Sequence, residues 1–251
     1  MSAGTILSGR ALREAKRTPD ALVPTLLIPL FFLVVNVGQA AETFPTETTA
    51  WLYGQSYAAF QLPSSILLAA SFGTSALYLV EEIENGYFDK LRATPVPRTA
   101  ISLGRLSAEA VKTALMTVVI LLLALPFGIT LQSGILGFVV LVLLAAGWSV
   151  GYAGFLQFVA LKTRSAAATN SASLIFFPLL FLTPNFVPRE LLTPAMEAAA
   201  ALNPVTYVME AMRSVILTDL DAVVVGKGLL FVAVFVTGTL ALNARVMRSY
   251  D

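Results

Sequence analysis

The side chains able to do chemistry in this sequence are acids, bases, amides and hydroxyls, because its 251 residues include no His and no Cys. Those two absences remove thiol nucleophiles, thiolate and imidazole metal ligands, disulfide frameworks and imidazole acid–base catalysis together. No Gly-x-x-x-x-Gly-Lys-Ser/Thr loop occurs, so the chain has no phosphate cradle of its own for a nucleotide. The densest ionic stretch is Glu81-Glu82-Ile83-Glu84-Asn85-Gly86-Tyr87-Phe88-Asp89-Lys90-Leu91-Arg92. Ile83, Tyr87 and Leu91 are four apart with Phe88 beside them, the spacing that gives a short helix one aromatic and aliphatic stripe. Thr94-Pro95-Val96-Pro97 then stops the helix, since proline lacks an amide donor and restricts the residue before it. A charge-rimmed knob of this kind suits either the headgroup plane of a bilayer or a protein partner. The clustered acids favour the partner, because anionic lipid attracts Lys and Arg instead. Glu81, Glu82, Ile83, Glu84, Gly86, Tyr87, Phe88 and Leu91 are therefore the candidate partner-coupling residues.

A second group of polar residues lies between Pro184 and Asp221, where Pro188, Pro194 and Pro204 punctuate amphipathic pieces into short helices. Elsewhere single amides interrupt apolar runs. Gln61, Gln157 and Asn170 have two uses open to them, substrate contact or hydrogen bonding between helices. Glu109 and Lys112 are three apart and can pair at the edge of a membrane span. Gly147-Trp148-Ser149-Val150-Gly151, with Gly154 a turn later, offers a small-residue face either to a second copy or to a neighbouring helix of the same chain.

The elements that must carry these residues follow from composition. Hydrophobic residues make up 57% and charged residues 12% of the chain, and mean hydropathy is +0.80, far from the balance of a soluble domain. Apolar runs of about 20 residues suffice to cross roughly 30 Å of hydrocarbon. They fall at 21–41, 56–80, 113–130, 135–161, 166–183 and 222–242, which predicts six transmembrane helices in an all-α integral membrane protein. Residues 1–20 read as a basic, interfacial amphipathic helix. A cleavable signal is the competing reading of the start, but the run at 21–41 exceeds the 7–15 residues of a signal core. The segments at one face hold 13 of the 16 Lys and Arg, and the opposite face holds Arg189, Arg213 and Lys227. The positive-inside rule then predicts both termini in the cytoplasm and a multi-pass protein of the plasma membrane.

Two passages carry a resemblance across essentially the whole chain. One is Glu84 to Arg98. The other combines Phe186-Val187-Pro188, Leu192-Thr193-Pro194, Leu202-Asn203-Pro204-Val205-Thr206-Tyr207 and Glu210-Ala211-Met212-Arg213. In these the sequence resembles the membrane subunits of type-2 ABC exporters, especially the drug and daunorubicin-type permeases. The resemblance implies one transmembrane permease domain over 1–251, with an interfacial helix at 1–20 and a coupling helix at 81–98. It also implies short external helices at 184–221, whose cap residues are Pro188, Pro194, Asn203, Pro204, Glu210 and Arg213. Tyr87 and Phe88 depart from the small or polar residues that many relatives have after the loop glycine.

The partners implied are two copies of an ATP-binding subunit, which would hold ATP and Mg, a second permease subunit, identical or related, and membrane lipid. No cofactor, metal or nucleic acid is expected on this chain, and no catalysis by it alone. The expected function is export of an apolar or amphipathic substrate of drug, lipid or glycan type. An ion-coupled secondary transporter and a membrane assembly factor are the alternatives. The first needs a buried carboxylate relay or broken helices at an ion site, and the second needs no pathway.

Overall fold

The computed structural model describes residues 19–72, 75–87, 90 and 98–248. The N-terminal segment read as an interfacial helix lies almost wholly outside them. Ten α-helices are found among the described residues: α1 Pro19–Ala40, α2 Tyr57–Ser71, α3 Ser75–Glu84, α4 Arg98–Ala124, α5 Gly134–Thr163, α6 Ala166–Ser173, α7 Phe176–Phe181, α8 Pro194–Leu202, α9 Pro204–Leu217 and α10 Ala222–Arg248. Among the described residues five stretches are long and apolar enough to cross a membrane: Val23–Ala40, Tyr57–Glu84, Ala100–Phe127, Gly134–Thr163 and Ala222–Arg248.

The fifth expected span is not one helix. Ala166–Phe181 is a shorter apolar stretch, split between α6 and α7. Pro178 has no amide to give the carbonyl of Leu174, so the ladder breaks there. The Phe177 amide turns to that Leu174 carbonyl instead, at 3.1 Å, and the Ser173 carbonyl accepts from the Tyr152 hydroxyl at 2.7 Å. The broken pair still links the two ends of the bundle. Ala166 packs on the cluster of Leu79, Val80, Ile101, Ala160, Leu161 and Met247, while Phe186 accepts the Tyr57 hydroxyl at the start of α2.

Two other boundaries move. The second expected span ends its first helix at Phe72, whose amide closes on Ala69, and resumes as α3. The third was expected from Thr113 with a charged loop before it, yet α4 is helical from Arg98. Arg105, Glu109 and Lys112 thus lie within a continuous helix, and the Glu109–Lys112 pair is buried near its middle. Hydrophobic periodicity understates a span whose charged residues are neutralised inside the bundle.

All 15 residues of α2 are buried, which makes it the central pillar and explains its load of Gln61, Ser64, Ser65 and Ser71. Around it α1, α4, α5 and α9 pack. The glycines of α5 serve the chain itself. A methyl group on Gly147, Gly151 or Gly154 would meet Val232, Phe235 or Thr239 of α10 at 2.4, 2.5 and 2.8 Å. That close approach also lets Asn243 donate to the Gly154 carbonyl at 2.8 Å.

Candidate functional site

At the end of the bundle where the last turns of α10 pack, α3 is fastened to α4 by a buried ion pair between Glu82 and Arg105. Ile83 packs against the Leu79 and Met247 cluster. Glu81 and Glu84 are exposed on the other side. Gly86 then adopts a left-handed φ of +68°, which a residue without a Cβ tolerates, and its amide closes on Ile83 at 3.1 Å. The chain turns there, so Ile83 and Tyr87 do not share the one surface that their spacing suggested. Ile83 faces the bundle and Tyr87 is 40% exposed. Phe88 and Leu91 lie outside the described residues.

One turn deeper, Lys112 pairs with Glu109 and its ammonium also donates to the Phe72 carbonyl at 3.5 Å, where α2 ends. Ser102 donates to Gln157 at 2.7 Å between α4 and α5.

The opposite end is built on different chemistry. Arg213 of α9 is buried, with its guanidinium 3.6 Å over the Phe60 ring. It donates through Nε to the Phe60 carbonyl at 3.1 Å, through Nη2 to the Asn185 carbonyl at 3.0 Å, and through Nη1 to the Pro184 carbonyl. Gln61 donates to the same Asn185 carbonyl at 3.0 Å and to the Tyr57 hydroxyl at 2.8 Å, and accepts from Asn36 of α1 at 3.4 Å. Ser64 donates to the Asn185 side chain. One network therefore ties α1, α2, the 182–188 segment and α9.

The other cap residues hold backbone in place. Pro188 precedes a single turn at Arg189–Leu191, Pro194 begins α8 and Pro204 begins α9. Asn203 caps α9 by accepting the Val205 amide at 3.0 Å and donates to the Leu179 carbonyl at 2.6 Å. Glu210 pairs with Arg189 at 3.1 Å. Burial pushes its carboxyl up, against the pull of Arg189 and Arg213. Arg189 also lies 5.4 Å from the Tyr207 ring, which stacks on Phe231 of α10 at 4.3 Å. A cavity of about 800 Å³ opens beside this cap, edged by Trp51, Tyr53, Arg189, Glu210 and Arg213. A smaller one of about 280 Å³ lies between the break at Phe72 and the break between α6 and α7. Among the described residues no group of acids could hold a metal ion.

A helical membrane bundle with short helices folded into one end and a charge-fastened knob at the other matches the family model for ABC-2 type transporters, which covers residues 4–217. The chain belongs to that family. A daunorubicin resistance ABC transporter permease protein of Streptomyces coeruleorubidus is 27% identical over 211 residues, 81% of this chain and 71% of its own length. A probable doxorubicin resistance ABC transporter permease protein of Mycobacterium tuberculosis is 24% identical over 209 residues, 82% of this chain and 74% of the relative. This is an all-α ABC-2 type permease, and its relatives carry that role by name.

Within the permease, sequence reasoning missed Asn36, Tyr57, Phe60 and Asn185, the partners of Gln61 and Arg213. Asn36 had a signal of its own, a carboxamide inside an otherwise apolar run. Phe60 had none, because it contributes a backbone carbonyl and a ring face.

Proposed function

We propose that the chain is the membrane-spanning subunit of an ATP-driven exporter, working with two copies of a separate ATP-binding subunit and a second permease chain. The observation that carries this reading is the Glu81 to Tyr87 segment in a member of the ABC-2 family. An exposed aromatic stands on a tight turn, and the helix behind it is fastened to α4 by the Glu82–Arg105 pair. A push on Tyr87 would pass into α3 and α4 and not be lost in a loose loop. ATP and Mg belong to the partner, since this chain has no phosphate cradle.

The cation asymmetry favours a plasma-membrane orientation with both termini and the Tyr87 turn in the cytoplasm and the Arg213 cap outside, the chain crossing six times as one permease domain. The relatives named for daunorubicin and doxorubicin resistance favour an apolar or amphipathic substrate, drug-like before lipid or glycan.

Co-purification of the permease with its ATP-binding subunit tests the reading, with ATP hydrolysis measured as doxorubicin is added. Hydrolysis stimulated by the drug and reduced in Tyr87→Ala is the expected result. Export that continues without ATP under a proton or sodium gradient would show an ion-coupled transporter instead. Single cysteines replacing Glu47, Arg98, Lys162 and Arg189 check the orientation. An impermeant thiol reagent added to intact cells should label positions 47 and 189 only.

A further inference from the structure

Two helix breaks face the same space. Phe72 ends α2, Leu174 and Ile175 separate α6 from α7, and Phe72 meets Phe177 edge-on with ring centroids 6.4 Å apart. The cavity of about 280 Å³ beside them is bounded on a further side by Pro24 and Thr25 of α1. Broken helices usually offer carbonyls to a ligand, but here two of the described carbonyls are taken, Phe72 by Lys112 and Ser173 by Tyr152. Three of the lining hydroxyls are taken too. Ser71 donates to the Leu67 carbonyl and accepts from Trp148, Ser173 donates to the Asn170 carbonyl, and Thr169 donates to the Ser165 carbonyl.

That leaves Asn170. It is an exposed residue of the cavity lining, and its side chain has no hydrogen-bond partner among the described residues. Gln61 and Gln157, the two amides paired with it in the sequence analysis, are buried and bonded within the bundle. An apolar chamber with one uncommitted amide is suited to a ligand that is apolar except at one point.

We propose that this cavity is a binding pocket for an apolar ring system or chain bearing a hydrogen-bond-accepting oxygen, with Asn170 as the residue that selects for that oxygen. The volume is close to the lower bound of small-molecule sites, about 300 Å³, so it takes the ring system or chain end and not a whole large amphiphile. That the ligand is on its way out of the cell rests on the exporter reading. The pocket itself does not.

The chain has no Cys, so Ser173→Cys places a single thiol beside Asn170. In nanodiscs of ether-linked phosphatidylcholine, alkylation of that thiol by N-ethylmaleimide is timed in the presence of 9,10-anthraquinone or of anthracene, which has the same rings and no oxygen. Anthraquinone should protect at about fivefold lower mole fraction than anthracene, the worth of one uncharged hydrogen bond. Adding Asn170→Leu should erase that preference, and Asn170→Gln should keep part of it. Ala76→Phe, which fills the chamber, should remove protection by both. A preference that survives Asn170→Leu, or equal protection by both probes in the parent, overturns the role of Asn170. Protection by neither probe overturns the pocket. The same experiment in ester-linked lipid separates two sources of the oxygen. Slower labelling there without any probe, lost in Asn170→Leu, makes a lipid carbonyl the resident ligand, and an unchanged rate leaves the pocket to the exported molecule. None of these measurements needs ATP or the partner subunit, so a failed export assay leaves them standing.

Discussion

The two ends of the permease bundle both bury cations, and they neutralise them differently. At the Tyr87 end each buried cation has a carboxylate of its own, Arg105 with Glu82 and Lys112 with Glu109. At the cap end no carboxylate pairs with Arg213 among the described residues. Arg213 is held by three backbone carbonyls and an aromatic face, while Glu210, one turn away on α9, is bonded to Arg189. A side-chain pair can be separated and re-formed as helices slide, since each half keeps its own helix. A guanidinium seated on carbonyls from α2 and the 182–188 segment fixes backbone to backbone. The cap end is thus built as a clamp and the Tyr87 end as a set of contacts that can be rearranged.

Replacement of the clamp should cost most. Arg213→Ala removes three charge-assisted hydrogen bonds and takes the guanidinium from the Pro184 carbonyl, while the Asn185 carbonyl keeps Gln61, a loss on the order of 5 kcal/mol. It should appear as a sharp drop in the detergent melting midpoint or in membrane yield. Arg213→Lys should recover only part, because an ammonium cannot reproduce the planar fork. A near-normal midpoint for Arg213→Ala would remove the contrast between the ends.

The Tyr87 end should behave as a pair. Glu82→Ala takes its carboxylate from the buried Arg105 at a cost of about 3 kcal/mol, and Arg105→Ala is the matching single change. The double change Glu82→Leu with Arg105→Met should return close to the parent midpoint, since a buried ion pair replaced by apolar groups is often neutral. Arg213 has no such compensating partner. If the double mutant is as unstable as the sum of the singles, the pair is not what fastens α3 to α4.

Asn203→Ala comes next. It loses the cap of α9 and the bond to Leu179, and a cap alone contributes about 1 kcal/mol. Hydrogen exchange in the first turn of α9 should rise while α10 stays protected, and uniform protection would argue that Pro204 alone holds that turn.

Tyr87→Ala should change the midpoint least, within about 0.5 kcal/mol as for exposed positions generally. Its effect should instead fall on retention of the ATP-binding subunit, where an aromatic anchor contributes on the order of 2 kcal/mol. Glu84→Gln should do less in both assays. Loss of the fold in Tyr87→Ala would make it a bundle residue like Ile83.

Much of this molecule was legible before folding. Composition and run length gave the membrane bundle, because a bilayer demands long apolar helices and tolerates little else. The absence of His, Cys and a phosphate loop removed whole classes of chemistry. Prolines at 188, 194 and 204 marked the short helices, because the first turn of a helix is where a missing amide costs no ladder hydrogen bond. What the sequence could not show is which polar groups meet. Arg213 read as an outward-facing cap residue, yet its partners are carbonyls, and every residue has one. Arg105, Glu109 and Lys112 read as loop or edge, because a charge looks the same in sequence whether water or an opposite charge satisfies it. Asn170, Gln61 and Gln157 were equivalent as amides in apolar runs. Only the tertiary packing separated them, bonding two across helices and leaving the third facing a cavity, because hydrogen-bond satisfaction depends on what lies opposite and not on what lies next in the chain.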